Sequence, residues 1–409
     1  MTESGRSGQH HQANILNDSC LSGKLWPAHL KPEQDELLSS WLVRLSMAHG
    51  QKLHTFCSLA WPGKAIWNRD IDKSADAKIV NTLSNKTATS ITKVFATTLA
   101  AYEGVLYEKH NHFGPTAWLM PVGIYHRTRI QYGLQYCPHC LAEDGQPYFR
   151  RKWRLAFMVI CERHHTLLHD RCEQCGLAIN FHRDELGNFG KFAPNSMIYC
   201  YACGFDLRLT QVGKSSSCVM AAEIEFTAKL LQIITNGVAE VTHTMSTYSH
   251  LYFTVLRQLM KIMGMRSKKV DKLRKAISET YGAEDYTPEG ERQPDVQEQS
   301  IQKRRQLLSL TRCLLEEWPD RFIALSQEHG LWSSTWLRHL ESGSRERSQA
   351  APFWFLEVVH EHLTQTRYCP STEEIRAASD YLLRKGAVLN KSSVSRLLGI
   401  SVIRQKDLL

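Results

Sequence analysis

Four pairs of candidate metal ligands lie in one stretch of the chain: Cys137-Pro-His-Cys140, Cys161-Glu-Arg-His164, Cys172-Glu-Gln-Cys175 and Cys200-Tyr-Ala-Cys203. A gap of two residues lets both side chains of a tight turn face one ion, and two such turns complete the tetrahedron of a structural zinc site. The spacing therefore predicts two structural Zn²⁺ ions, each with all four positions filled by protein. Ion binding to otherwise unstructured thiolates is itself folding free energy, so this region should need both ions to fold.

The fourth ligand of the first site has two candidates. His164 and His165 both follow Cys161, and we prefer His164 because it keeps the two-residue gap. Catalytic zinc would need another pattern, either His-x-Glu before Pro-Cys-x-x-Cys or His-Glu-x-x-His on a helix. The nearest approach, at residues 360–362, lacks the second histidine at the required offset. A redox site would need one Cys-x-x-Cys pair, not the four ligand-bearing turns, here called knuckles, that follow one another in this chain. We therefore expect that the protein is not an enzyme.

Length and composition limit the class of protein. At 409 residues the chain exceeds the size at which one hydrophobic core keeps growing, so two or three domains are expected. It lacks an apolar run of about 18 residues and an apolar segment near its start, which predicts a cytoplasmic protein with no membrane partner. Twelve cysteines in that compartment favour metal over disulfides. The formal net charge of +9 is compatible with a nucleic-acid partner but does not establish one.

Hydrophobic periodicity divides the rest of the chain. Helical patterns cover four ranges: 32–50, 75–102, 221–236 and 248–265. The predicted fold class is mostly α with small zinc-ribbon-like β elements. In order, the expected parts are a disordered leader (1–24), an N-terminal helical domain (25–135), two tandem zinc-binding elements (136–210), a helical domain (218–282), an exposed linker (283–300) and a C-terminal helical domain with a candidate helix-turn-helix (301–409).

Basic residues alternate with aromatic ones between the first two knuckles. Cations beside rings such as Phe149 and Trp153 suit phosphate contact with stacking support. The predicted DNA-binding residues here are Arg150, Arg151, Lys152 and Arg154. The alternative is that the rings pack against the knuckles while the cations are solvated. A second basic run, at 266–275, is a weaker indication, because such runs usually form the polar face of a helix.

The C-terminus contains a candidate helix-turn-helix. Residues 392–398 form its first helix, Gly399 and Ile400 its turn, and a second helix begins at Ser401. Three polar residues of that second helix would face the major groove: Arg404, Gln405 and Lys406. Gln405 occupies a position that is usually apolar, and the second helix has barely two turns. A packing helix or a dimer-forming helix, and with it a homodimer, is the alternative.

Four motifs resemble the TniQ/TnsD family of transposon target-selection proteins. They are Asp35-Glu36-Leu37-Leu38-Ser39-Ser40-Trp41 with Arg44-Leu45 after Pro32; Tyr136-Cys137-Pro138-x-Cys140 with Trp153 and Cys161-x-x-His164; the four-cysteine element; and Trp318-Pro319-Asp320-Arg321-Phe322. The resemblance spans residues 25–322. It implies a non-catalytic adaptor that recognises a target and recruits a AAA+ ATPase, which in turn recruits the transposase. The target is either a DNA site or an RNA-guided CRISPR effector complex, and the resemblance leaves that choice open.

Two carboxylates at the start of the first predicted helix are candidates for partner binding. Asp35 and Glu36 would stabilise the helix through its dipole by only about 0.3–1 kcal/mol, so helix stability alone is a weak reason for both carboxylates. We therefore interpret them as contacts to the ATPase, with ordinary helix-start charges as the alternative. The competing function is a zinc-containing DNA-binding transcriptional regulator. A metal-dependent nuclease would need clustered carboxylates, and the sequence shows no compact acidic motif.

Overall fold

The computed structural model describes residues 21–125, 128–183, 196–211, 221–290, 294–338, 340, 351–365 and 370–399. These parts are mostly helical with short two-stranded pieces, which confirms the predicted fold class. Most of the expected leader, residues 1–20, lies outside them. Its described end is packed, since Leu21 is buried and Lys86 donates to the Leu21 carbonyl at 3.3 Å. No helix of the described chain is long and apolar enough to cross a membrane.

The N-terminal part is built from short helices: α1 (Leu38–Ala48), α2 (Leu53–Ala60), α3 (Ile71–Ser74), α4 (Ala77–Thr87) and α5 (Ile91–Phe95). The predicted apolar stripe of α1 is confirmed, because Leu38, Trp41, Leu42 and Leu45 are all fully buried. The long helix predicted over 75–102 is wrong as a single element. Ala88, with φ +47°, ends α4 in the left-handed region, and Ser90 caps α5 separately.

The predicted start of α1 is also wrong. The helix begins at Leu38 and not at Pro32, because Asp35 has φ +56° and cannot continue a right-handed turn. The residues after it run alongside a later part of the chain instead. The Leu37 amide donates to the Phe149 carbonyl at 2.9 Å, and the Arg151 amide donates to the Asp35 carbonyl at 2.7 Å. The opening segment, residues 33–37, is therefore a turn followed by a single bridge between Glu36 and Arg150 of the knuckle region.

The knuckle region, residues 136–210, contains little regular structure in its described part. One strand pair, β1 (Ile124–Tyr125) with β2 (Thr128–Arg129), precedes α6 (Pro138–Glu143). Each later knuckle is closed by a single antiparallel bridge: Ile160 with Leu167, Arg171 with Ala178, and Tyr199 with Asp206. Such small hairpins match the expected ribbon-like elements.

The C-terminal part begins with α7 (Ala221–Asn236), where the helix was predicted, and continues with a hairpin that the sequence analysis missed, β3 (Val238–Thr242) and β4 (Met245–Tyr248). The predicted helix over 248–265 is α8 (Ser249–Met263). The remaining helices are α9 (Lys268–Tyr281), α10 (Ile301–Leu315), α11 (Asp320–Glu328), α12 (Ser333–Trp336), α13 (Phe353–His362), α14 (Thr372–Arg384) and α15 (Lys391–Leu398).

One hydrophobic core runs from Leu21 to Leu363, so the predicted domains share it. Within the segment predicted as an exposed linker, 283–300, Tyr286 and Val296 are buried. The exposure expected for this segment is therefore wrong at those positions. Asp295 also forms an ion pair with Arg257 of α8, which ties the segment to the helical part.

Helices α14 and α15 form a small separate cluster around Ile375, Ala378 and Val394. The first helix of the candidate helix-turn-helix is present as α15, and Gly399, with φ +68°, ends it. The predicted second helix, with Arg404, Gln405 and Lys406, lies outside the described residues.

A buried guanidinium joins the N-terminal and C-terminal parts. Arg304 of α10 is fully buried and donates to the Ala156 carbonyl at 2.6 Å and to Gln135 Oε1 at 3.0 Å. It also donates to the Gln299 carbonyl at 3.2 Å. Burial lowers the pKa of Arg304 to about 10, which still leaves it charged at neutral pH. Its charge is therefore stabilised mainly by neutral acceptors drawn from both parts.

We predict that Arg304→Ala lowers the free energy of unfolding by about 3 kcal/mol or more, because buried acceptors lose their donor and a cavity remains. Urea denaturation followed by fluorescence measures this. The matched control is Arg338→Ala, at an exposed position, which should change stability by less than about 0.5 kcal/mol. Equal effects of the two substitutions would contradict the shared core.

Candidate metal centres and the charge network around them

The first candidate metal centre joins α6 to the following knuckle. Cys137 precedes α6, Cys140 lies within it, and Cys161 and His164 come from the turn that the Ile160–Leu167 bridge closes. The four ligand atoms lie within 4.8 Å of one another. His164 Nδ1 is 3.4, 3.3 and 3.5 Å from the sulfurs of Cys137, Cys140 and Cys161, and the Cys140 and Cys161 sulfurs are 3.6 Å apart.

These distances fit a tetrahedral zinc centre. With Zn–S near 2.3 Å and Zn–N near 2.0–2.1 Å, a tetrahedron separates two sulfurs by roughly 3.8 Å and a sulfur from a nitrogen by roughly 3.5 Å. The structure also selects between the two histidines, because His164 belongs to the cluster whereas the exposed His165 does not. His164 Nε2 lies 3.0 Å from Glu143 Oε2, a carboxylate partner of the kind that orients a metal-binding imidazole.

The second candidate centre gathers four thiols from two knuckles. Cys172, Cys175, Cys200 and Cys203 have their sulfurs within 4.8 Å of one another. The Cys172–Cys203 and Cys175–Cys200 sulfur pairs are each 3.6 Å apart. Cys172 and Cys200 are buried, whereas Cys175 and Cys203 are exposed. Both predicted ligand sets are thus brought together, and both groups can hold a metal ion.

Crowded thiols need a cation before all of them can ionise. Hydrogen bonding with Cys137 and Cys161 raises the pKa of Cys140, whereas hydrogen bonding with Cys137 and Cys140 lowers the pKa of Cys161. The thiols of one cluster therefore compete for a single negative charge. A divalent ion between them removes that conflict, because metal binding stabilises every thiolate at once.

The opening segment docks on the first centre through Asp35. The Asp35 carboxylate accepts hydrogen bonds from Arg151 Nε and from the Lys152 amide, both at 3.2 Å. The side chain is still 20% exposed. Asp35 therefore caps the start of the turn at residues 151–154, which lies between the two knuckles of the first centre.

Glu36 is placed differently from its predicted role. Its side chain has no exposed area and accepts from Arg44 Nη1 at 2.6 Å, from Ser40 Oγ at 2.9 Å and from the Glu33 amide at 2.9 Å. Burial raises the pKa of Glu36 to about 7 against the attraction of Arg44, so the carboxylate depends on these donors. The prediction that Glu36 contacts a partner needs correction, because the side chain is enclosed by its own domain.

Arg44 and Ser40 connect α1 to the segment between the two knuckles of the first candidate metal centre. Arg44 Nη2 donates to Gln146 Oε1 at 3.0 Å, and the Phe149 amide donates to Ser40 Oγ at 3.0 Å. Both Gln146 and Phe149 lie between α6 and the next knuckle. The family-like residues of the opening segment and of α1 thus fasten the first helix to the first metal centre.

The four predicted DNA-binding residues of this region all have acidic partners. Arg150 pairs with Asp144 at 2.8 Å, Arg151 with Asp35 at 3.2 Å, Lys152 with Glu162, and Arg154 with Asp70 at 2.6 Å and Asp72 at 3.2 Å. For Arg154 the prediction needs correction, because its side chain is only 1% exposed. The signal that was missed is the pair of aspartates on either side of Ile71, more than eighty residues earlier in the chain.

Those aspartates organise a buried network. Asp72 accepts from the Ser39 amide at 2.6 Å and from Ser39 Oγ at 2.9 Å, at the start of α1. Arg129 Nη2 lies 3.7 Å from Asp72 Oδ2. Burial raises the pKa of Asp72 and Asp70 adds to this effect. At Asp70 burial acts in the same direction, but three cations together outweigh it and lower the pKa: Arg154, Arg129 and Lys73. Acidic and basic groups here compensate each other inside the fold.

Comparison with known proteins agrees with this layout. Residues 27–168 match the family model described as TniQ. The matched range begins just before the opening segment and ends just after the His164 knuckle, so it contains the first metal centre but not the second. No curated protein matches the chain.

We predict that metal analysis of the purified protein gives two ions per chain. Cys161→Ser should remove the ion of the first centre and leave the protein insoluble, because each site contributes on the order of 10 kcal/mol to folding. The control is Cys57→Ser, a buried cysteine outside both clusters, which should keep two ions. Folded wild-type protein that holds one ion or none would contradict the assignment.

We predict that Glu36→Ala lowers the free energy of unfolding by about 3 kcal/mol, because the buried Arg44 loses its buried carboxylate and keeps only the exposed Glu33 as an ion-pair partner. Thermal or urea unfolding at neutral pH measures this. Glu33→Ala is the matched control: Glu33 also pairs with Arg44, at 2.8 Å, but its side chain is 46% exposed. It should cost no more than about 1 kcal/mol. Equal costs would show that the buried pair does not hold the opening segment.

Proposed function

The chain carries a TniQ domain at residues 27–168, and from that premise we propose that it is a non-catalytic adaptor in DNA transposition that recognises the target and recruits a AAA+ ATPase and, through it, the transposase. A TniQ domain implies a target-selection role associated with transposition. The observation that carries the proposal is that the matched range contains both α1 and the first candidate metal centre, packed against each other. Within that range, the residues that resemble the family fasten α1 to the first metal centre.

The metal centres support a structural role in this proposal. We propose that each holds one Zn²⁺, on the strength of a three-thiol, one-imidazole donor set and a four-thiol donor set. When bound, zinc supplies a rigid tetrahedral link between two turns and stabilises the thiolates. Cys137, Cys140, Cys161 and His164 would hold one ion, and the four cysteines of the second centre the other. With four protein ligands at each ion, neither site leaves a position for a substrate.

The acidic residues also favour an adaptor over a nuclease. A two-metal nuclease gathers carboxylates around Mg²⁺ in an accessible site. In the part of the chain that the structure describes, the half-buried Asp70 and the buried Asp72 are instead bound to Arg154, and Asp72 also faces Arg129. These carboxylates are neutralised by arginines and are not arranged to hold a metal.

The competing proposal is a zinc-containing DNA-binding transcriptional regulator. The observation in its favour is the pair α14 and α15, which have their own small core and place a helix where the candidate helix-turn-helix requires one. The regulator does not require the docked opening segment, whereas a TniQ adaptor does. We therefore keep the adaptor as the leading function, acting in the cytoplasm as a monomer or a homodimer.

Among the two residues proposed for ATPase binding, Asp35 is the one that keeps an accessible carboxylate. It stands at the edge of the docked segment, beside the arginine-rich turn at 151–154. The proposed contact therefore combines the Asp35 carboxylate with the half-buried side chains of Arg151 and Lys152. The target, whether a DNA site or an RNA-guided CRISPR effector complex, would be engaged elsewhere on the chain.

We predict that the full-length protein captures the AAA+ ATPase encoded beside it, and that Asp35→Asn reduces this capture at least about tenfold, the loss expected for one interfacial charge pair. Asp380→Asn, at an exposed position of α14, is the control and should capture normally. Both variants must keep the wild-type melting temperature and metal content. Unchanged capture by Asp35→Asn removes this carboxylate from the interface, and a wild-type protein that captures no ATPase contradicts the adaptor role.

A further inference from the structure

The charge network leaves the predicted DNA-binding residues of the knuckle region without free charge. Each of the four cations there already faces a carboxylate of its own domain, as described above. A cation paired with a protein carboxylate gains little from a phosphate, because the new contact must replace an existing one. Nucleic-acid contact by this protein therefore calls for a surface whose cations are not already neutralised.

Helix α9 presents such a surface. Lys268, Lys272 and Lys275 are exposed, and their spacing of four and three residues places them in one row along the helix. The opposite side of α9 is anchored in the core by Val270, Leu273 and Ile277, all fully buried, so the row is held in a fixed orientation.

The lysines of this row lack ion-pair partners within the residues that the structure describes. Asp271 borders the row, three residues after its first lysine and four before its last, but its carboxylate pairs with Arg274. Lys269 lies beside the row and donates to the Gly330 carbonyl at 2.8 Å, a neutral acceptor that leaves its charge uncompensated. One carboxylate, Glu279, follows the row on the same face one turn beyond Lys275. The row and its flanks therefore keep a clear positive excess.

We propose that the Lys268–Lys272–Lys275 row of α9 contacts the phosphodiester backbone of duplex DNA. From Lys268 to Lys275 the row spans seven residue steps, or about 10 Å at 1.5 Å per residue, which covers roughly three base-pair steps of 3.4 Å. Three ammonium groups on long, flexible side chains can each reach a phosphate within that length of duplex. Lysine ammoniums are point charges that position a protein on DNA without reading its sequence. The row would hold the duplex, and base recognition would come from another element or partner.

The choice of DNA over another polyanion rests on the proposed role in transposition. The row itself is defined by phosphate chemistry, which RNA shares. An RNA duplex of the same length therefore belongs in the test, as the alternative source of that chemistry.

The test measures the affinity of the full-length, metal-loaded protein for a fluorescent DNA duplex of arbitrary sequence over a series of salt concentrations. Each phosphate contact contributes about −0.9 to the slope of log K against log salt. Lys268→Gln/Lys272→Gln/Lys275→Gln should therefore flatten the slope by about 2.7 and weaken binding on the order of a hundredfold at 0.1 M salt. The matched control replaces three exposed lysines elsewhere, Lys78, Lys93 and Lys109, with glutamine, and should keep a wild-type slope.

Three results would overturn the proposal. They are a wild-type slope in the α9 variant, equal losses in the two triple variants, and binding of the RNA duplex without binding of the DNA duplex. Capture of the ATPase by the same proteins separates this inference from the proposed function. Lost DNA affinity with intact capture supports both, whereas α9-dependent DNA binding by a protein that captures no ATPase supports the inference and contradicts the adaptor role.

Discussion

The closure of the first metal centre is the constraint on which the N-terminal half depends. Cys137 and Cys140 on one turn and Cys161 and His164 on another fix the two ends of the segment between them. That segment, with Phe149 and the turn at 151–154, is the surface on which the opening segment and α1 are built. Single β-bridges provide only a few hydrogen bonds in this region, so the ligand cluster acts together with buried side chains such as Phe149 and Trp153 to hold it in place.

Buried ion pairs add a second constraint on the position of α1. Glu36 with Arg44 closes one side of α1, and Asp72 with Arg154 closes the other, so the helix start is tied to two parts of the knuckle region. Burying such pairs costs desolvation energy, and their geometry must be good for the contact to be neutral or better. These pairs fix the orientation of α1 on the knuckle region, because a carboxylate and a guanidinium specify one docking orientation where an apolar surface would allow several. As a consequence, the cations at residues 150–154 are paired with carboxylates of the same chain and are not free to bind a phosphate.

Much of this architecture could be predicted from the sequence, and the failures have physical causes. The paired spacing predicted both ligand clusters and the preference for His164, because short-range geometry determines which atoms can share an ion. The helix at Ala221–Asn236 was predicted from its periodicity. The helix start at Pro32 was not, because a proline followed by acidic residues is a typical start signal, and the positive φ of Asp35 arises from its contacts with Arg151 and Lys152, over one hundred residues away. The role of Arg154 was missed for the same reason, since pairing between distant segments leaves no local pattern. Glu36 has near partners in sequence, Ser40 and Arg44, but helix-start charges are usually exposed, so its burial was not anticipated.

The proposed role, selection of the insertion target without performing the chemistry, is tested by site-resolved transposition. Donor DNA, the transposase and the AAA+ ATPase would be combined with and without the purified protein, and the insertion sites sequenced. We expect insertions concentrated at one target when the protein is present and scattered or absent insertions when it is omitted. An identical distribution of insertion sites in the two reactions would contradict it.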